Sequence, residues 1–150
     1  MQDDLAVMRP PAMQQATRRL RVETGGRGFY EITASIADIL RSARINTGLL
    51  TVFCRHTSAS LSITENADPN VLRDLETFLA RIAPEGAAYV HDDEGPDDMP
   101  AHIRAALTQT QLSIPVIGGA AALGTWQGVF LLEHRRRPHR REIVLHLIGE

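Results

Sequence analysis

The alternation of apolar and polar residues divides the chain into strands and helices before any composition is considered. From Thr17 to Thr24, Leu20 and Val22 oppose Arg19, Arg21 and Glu23 at the two-residue period of a strand. Gly25, Gly26 and Gly28 then turn the chain into a partner strand, Phe29 to Thr33. Ser35 with Asp38 resembles a capping box, and Ile36, Ile39, Leu40 and Ala43 follow at helical spacing, ending near Asn46 and Gly48. Leu49 to Arg55 has apolar residues on both faces, as in a strand covered on both sides. After His56, the hydroxyls of Ser58, Ser60, Ser62 and Thr64 alternate with Ala59, Leu61 and Ile63, so they share one face of a strand that runs to Glu65.

Asp68 and Pro69 are an N-cap followed by a first-position proline, and Val71, Leu72, Leu75, Phe78, Leu79 and Ile82 form one stripe up to Pro84. An acidic loop, Tyr89 to Asp98, precedes a short helix expected to start at Pro100 and to turn Ile103, Ala106 and Leu107 inward. Leu112 to Ile117 and Thr125 to His134 read as strands. Arg135 to Arg141 reads as an exposed basic hairpin turn into the last strand, Ile143 to Ile148. Strands mixed with segregated helices indicate an α+β class: a single compact domain of mostly antiparallel sheet layers with about three helices. Residues 1–15, with adjacent prolines and no periodicity, read as a mobile tail, which leaves 16–150 as the domain.

Composition narrows the chemistry. A chain of 150 residues is the size of one domain, and no apolar run approaches the ~20 residues of a membrane helix. The start, Met-Gln-Asp-Asp-Leu-Ala, lacks the basic and apolar regions of a secretory signal, so the expected location is cytoplasmic. A net charge of -2 argues against nucleic acid as a partner. All 16 basic residues are arginine, which excludes a lysine nucleophile, a Schiff base and a phosphate loop of the Gly-Lys type. The lone Cys54 has no partner for an internal disulfide, and its apolar strand is a place where a thiol is inert.

Three of the six histidines stand in unlike contexts: His56 at a strand end, His91 in the acidic loop and His102 at a helix start. Neutral imidazoles at such positions can hold a divalent metal with an open corner for water, although the spacings match no short zinc motif. Scattered histidines are otherwise ordinary surface or core residues. Five acids lie between Asp92 and Asp98, and five arginines between Arg135 and Arg141. The two blocks can serve a phosphorylated ligand, arginine forks taking phosphate oxygens, or can be two solvated loops of opposite sign. Trp126 with Gln127 can stack on a ring or can simply be core.

Several runs in order resemble the YjbQ-type family, described as secondary thiamine-phosphate synthases: His-Thr-Ser-Ala-Ser from His56, Glu-Asn-Ala-Asp-Pro from Glu65, His-Asp-Asp-Glu-Gly from His91, Ala-His-Ile from Ala101, Ser-Ile-Pro-Val from Ser113 and Gly-Thr-Trp-Gln-Gly from Gly124. The resemblance implies a compact α+β fold, a homotrimer, and a metal or anion site lined by His56, His91 and His102. Zinc is the favoured ion, with magnesium or another divalent ion as alternatives. It further implies an activity in which a pyrimidine diphosphate loses pyrophosphate to a thiazole phosphate. Under that reading Glu65, Asp68 and Glu94 orient metal ligands or carry a proton, and Ser58, Asn66, Trp126, Gln127, Arg137 and Arg141 contact a small phosphorylated substrate. Two other functions fit the same residues: a non-catalytic trimer that binds metal or a phosphate-like anion, and a metal-assisted hydrolase. Ala120 stands where relatives often carry a basic residue, and His134 matches only some of them.

Overall fold

A computed structural model describes residues 12–150, so the expected tail lies outside the described residues except at its end. That end is already strand: β1 spans Gln14–Thr24, three residues longer than the alternation indicates. The remaining elements are β2 (Gly28–Glu31), α1 (Thr33–Ala43), β3 (Gly48–Cys54), β4 (Ala59–Glu65), α2 (Pro69–Ile82), α3 (Asp98–Leu107), β5 (Gln111–Ile117), β6 (Ala120–Ala121), β7 (Gln127–Glu133) and β8 (His139–Gly149). The chain is α+β, with three helices and two antiparallel sheets among the described residues. No described helix is long and apolar enough to cross a membrane.

The larger sheet has the order β1-β8-β3-β5-β6 and the smaller β2-β7-β4. They face each other across one core, in which Leu50, Val52, Ile114, Leu145 and Leu147 of the first meet Leu61, Val129 and Leu131 of the second. Ile36 and Leu40 of α1 join that core. Each such side chain removed from water contributes roughly 1.5–3 kcal/mol, so the sandwich alone is a sufficient scaffold. On the far face of the small sheet lie α2 and α3.

Topology corrects two hairpins. β1 pairs with β8 while β2 pairs with β7, so the glycine turn after Thr24 carries the chain from one sheet to the other. The 134–138 link between β7 and β8 crosses back the same way. Short connections between strong alternating strands look like hairpins in a sequence, but here each strand finds its partner far along the chain. The two crossings touch: a Cβ on Gly26, whose φ is +131°, would come within 2.8 Å of the Arg136 carbonyl oxygen.

Burial corrects the strand assignments too. β3 is not covered on both sides, because Leu49 and Phe53 are 42% and 44% exposed on the outer face of the large sheet. The doubly covered strand is β7, central in the small sheet, with Val129 and Leu131 toward the core and Phe130 and Leu132 toward the helices. Ser60, expected among hydroxyls on a solvent face, is fully buried under the helices; its Oγ meets His134 Nε2 at 2.8 Å and Thr108 Oγ1 at 2.5 Å.

Helix ends differ instructively. Asp68 caps α2 as expected, its Oδ1 accepting from Asn70 N at 2.9 Å. α1 has no side-chain cap and starts at Thr33, two residues before the expected box. Thr33 Oγ1 instead donates to Glu31 and accepts from Val129 N, tying the helix start to β7. α3 begins at Asp98, so Pro100 is its third residue rather than its first. A proline is tolerated there because the first-turn N–H groups have no helical partner. The inward residues of α3 are therefore Ala101 and Arg104, while Ala106 and Leu107 are exposed.

Candidate functional site

The two-residue shift in the start of α3 assembles the site. With Asp98 in the first turn, His102 lies four residues on and shares its face. The acidic loop folds back so that His91 and Glu94 reach the same point. One ligand atom from each of His91, Glu94, Asp98 and His102 lies within 4.8 Å of the others. His91 Nε2 is 2.7 Å from Asp98 Oδ2, His102 Nε2 3.2 Å from the same oxygen, and His91 Nε2 3.5 Å from Glu94 Oε2. In tetrahedral zinc sites with bonds of ~2.0–2.2 Å, ligand atoms sit about 3.3–3.6 Å apart; the 3.2 and 3.5 Å separations are close to this, and the 2.7 Å one is a hydrogen bond.

The hydrogen-bond chemistry tests the fit independently. His102 Nδ1 lies 3.1 Å from the Thr57 carbonyl oxygen, which only accepts, so this nitrogen carries the proton. In the neutral ring Nε2 then holds a bare lone pair facing the Asp98 carboxylate, a repulsive arrangement unless a cation or a second proton lies between them. An imidazole oriented by a carbonyl and backed by a carboxylate is how proteins prepare a metal-binding nitrogen. The donor set of two imidazoles and two carboxylates suits a divalent cation of the zinc type.

Arg135 holds the cluster from behind. Its Nε donates to Asp97 Oδ2 at 3.0 Å, its Nη2 to the Glu94 carbonyl at 3.0 Å, and its Nη1 to Asp98 Oδ1. With Oδ1 taken, Oδ2 is the oxygen left for the histidines. Burial works to raise the Asp98 carboxyl, but the His91 hydrogen bond, Glu94, and the charges of His102 and Arg135 outweigh it and hold it below the ordinary range. The same hydrogen bond raises His91 above the ordinary imidazole value.

Of the three histidines expected to meet, His91 and His102 do, and His56 contributes no atom to the cluster. His56 Nε2 accepts a 2.7 Å hydrogen bond from Glu142 N, and burial followed by the Arg141 charge lowers its basicity. Glu94 belongs to the cluster, and Arg137 lines a cleft beside it with Asp97, Arg135 and Arg136. Arg141 is not on an exposed turn: at 4% exposure it binds both carboxylate oxygens of the buried Glu133 and the Ser58 hydroxyl and carbonyl oxygens. Its Nε and Nη2 are thereby engaged within the protein, while Arg141 also borders a cavity with His56, Thr57 and Ser58.

Five expected residues gather at the other end of β4. Glu65 is paired in register with Gln127, Asn66 N donates to the Trp126 carbonyl, and Asp68 caps α2. The six rises of ~3.3 Å from Ala59 to Glu65 place this group about 20 Å from the end of β4 that adjoins Thr57. Asn66 there donates to Glu31 Oε2 at 3.1 Å, packed so closely over Gly128 that a Cβ would meet both residues at 2.8 Å. Asp98 is the residue that the sequence pattern did not single out. Its signal was the four-residue spacing to His102, hidden by placing the helix start at Pro100.

The family model described as UPF0047 protein YjbQ-like matches residues 18–150. The chain belongs to this family. A UPF0047 protein of Synechocystis is 54% identical over 132 residues, covering 87% of this chain and 90% of that one. UPF0047 protein YjbQ of Escherichia coli O157:H7 is 43% identical over 134 residues, covering 89% and 97%. Among solved structures, a conserved hypothetical protein of Thermus thermophilus aligns with a TM-score of 0.76 at 36% identity, over 85% of this chain and 97% of that one. A YbjQ-like protein of unknown function from Sulfolobus solfataricus aligns with a TM-score of 0.86 over 93% and 100%, and at 23% identity it speaks for the fold alone.

Proposed function

We propose that this YjbQ-like chain is a divalent-metal-dependent enzyme acting on a small phosphorylated molecule, with His91, Glu94, Asp98 and His102 as the metal ligands. The observation that carries the reading is the pairing of His91 and His102 on one Asp98 oxygen, with His102 Nδ1 held by the Thr57 carbonyl so that Nε2 faces that carboxylate. A divalent cation held there supplies a Lewis acid for a phosphoryl oxygen. The chain's own residues do the rest. Arg135 fixes Asp98 and the loop carrying Glu94. Exposed Glu94 is placed to hold the metal or to take a proton from a reacting group. Arg136 and Arg137 line the cleft beside the cluster and add positive charge at its rim.

Within that class, the reaction the resemblance points to is release of pyrophosphate from a pyrimidine diphosphate as a thiazole phosphate nitrogen attacks the pyrimidine methylene carbon. The same reading takes the chain as a homotrimer, supported by Leu49, Phe53 and Ile148 exposed together on the outer face of the large sheet. Pyrophosphate release from the two phosphorylated substrates, followed with and without a chelator, tests it. Turnover should require the metal and vanish in Asp98→Asn. Metal bound with no turnover on these or other phosphate esters would make the protein a non-catalytic binder.

A further inference from the structure

His56, left out of the metal cluster, lies in a cavity of its own. The outer face of the large sheet brings Arg21 and Arg140 together, since Arg21 is opposite Glu142 and Arg140 opposite Glu23 on adjoining strands. Arg55 comes in just beyond the end of β3. These three arginines, His56 and Glu142 bound a cavity of about 400 Å³, within the usual size of a small-molecule pocket. Its charges do not cancel. Glu142 takes Arg55 at 2.5 Å and Arg19 more weakly at 3.9 Å, and Glu23 takes Arg140 at 2.6 Å. Arg21 has no carboxylate partner among the described residues, so four arginines face two carboxylates.

His56, on the wall of this cavity, has a fixed tautomer. Because the Glu142 N–H occupies Nε2, a neutral ring must carry its proton on Nδ1, and burial with the nearby Arg141 favours the neutral ring. A second cavity of about 390 Å³ continues on the other side of His56 along Thr57 and Ser58. Thr57 is the residue whose carbonyl holds His102. The 55–58 segment thus borders the arginine cavity at Arg55 and His56 and contacts the metal cluster at Thr57.

We propose that the cavity bounded by Arg21, Arg55, His56, Arg140 and Glu142 is an anion subsite that takes the terminal phosphate or pyrophosphate group of the substrate. Guanidinium forks match phosphoryl oxygens two at a time, and uncompensated positive charge in a cleft is what an oxyanion of charge two or more seeks. The assignment rests on the reading of the substrate as phosphorylated, but its test does not pass through the metal.

Inorganic pyrophosphate is titrated by calorimetry into the metal-free full chain. Binding is expected at one site per chain and should weaken with added salt. Arg21→Ala and Arg140→Ala should each reduce the affinity about tenfold, as loss of a charged hydrogen-bond donor does. Both variants should bind zinc as the unaltered protein does, and Arg73→Ala, on α2, should bind pyrophosphate normally. His91→Ala should lose zinc while keeping pyrophosphate, which separates this site from the metal reading. The proposal is overturned if folded protein takes up no pyrophosphate, if the Arg21→Ala/Arg140→Ala double variant binds undiminished, or if Arg136→Ala and Arg137→Ala remove the binding instead.

Discussion

Arg141→Met should be one of the most destabilising single changes in the protein. Arg141 and Glu133 are 4% and 1% exposed, and the guanidinium makes bonds to both Glu133 oxygens and two to Ser58. Methionine keeps much of the packed volume and removes the charge, so the cost isolates the stranded carboxylate. Leaving one member of a buried ion pair alone costs ~3–5 kcal/mol. Against the ~5–15 kcal/mol total of a typical domain, that is about a fifth of the stability or more. At about 2–4 °C per kcal/mol for a domain of this length, the melting temperature should fall by roughly 6–20 °C. Urea unfolding followed by circular dichroism gives the free energy directly. Adding Glu133→Gln should recover most of the loss, because the amide is uncharged and can still bond Thr24 Oγ1. A loss below ~1 kcal/mol, or no recovery in the double variant, would show that the buried Arg141–Glu133 pair does not carry this stability. Exposed Arg137→Ala should change stability by less than ~0.5 kcal/mol.

Two other predictions concern the surroundings of the metal cluster and the core. Arg135→Ala frees Asp98 Oδ1 and the Glu94 carbonyl, so zinc affinity should fall ~10–100-fold, the usual effect of losing an outer partner of a ligand; an unchanged affinity would show that Arg135 only braces the loop. His134 is pushed down to about 3, first by burial and then by Arg104, Arg141 and Arg27. The unfolded chain therefore takes up a proton that the folded one refuses, and stability should fall as pH drops from about 6.5 toward 3. His134→Gln should flatten that part of a stability–pH curve, and a curve unchanged in shape would assign the acid sensitivity to other groups.

The element order could be read from alternation and capping because those signals are local. Asp68 and Pro69 mark the start of α2 to the residue, and the two-residue period marks β1, β4 and β8. Strand partners could not be read, since Thr24 and Gly28 are close in sequence yet pair with His139 and Glu133 in different sheets. Burial of polar groups was equally hidden. Ser60, Arg104, Glu133 and Arg141 look like surface residues until partners far along the chain are placed against them. At the candidate site, His91, His102 and Glu94 were picked out by residue type, while Asp98 needed the true helix start. His56, expected beside them from its strand-end position and the family resemblance, contributes no atom to the cluster; the adjacent Thr57 touches it through its carbonyl.

The proposed function depends on His91, Glu94, Asp98 and His102 binding a divalent metal. Calorimetric titration of zinc alone into the full chain, with each histidine replaced in turn, tests it most directly. One ion per chain is expected, with affinity reduced at least ~100-fold in His91→Ala and His102→Ala, since losing a ligand exceeds losing an outer partner, and near-normal binding in His56→Ala. Zinc binding that survives His102→Ala, or that disappears in a folded His56→Ala, would contradict it.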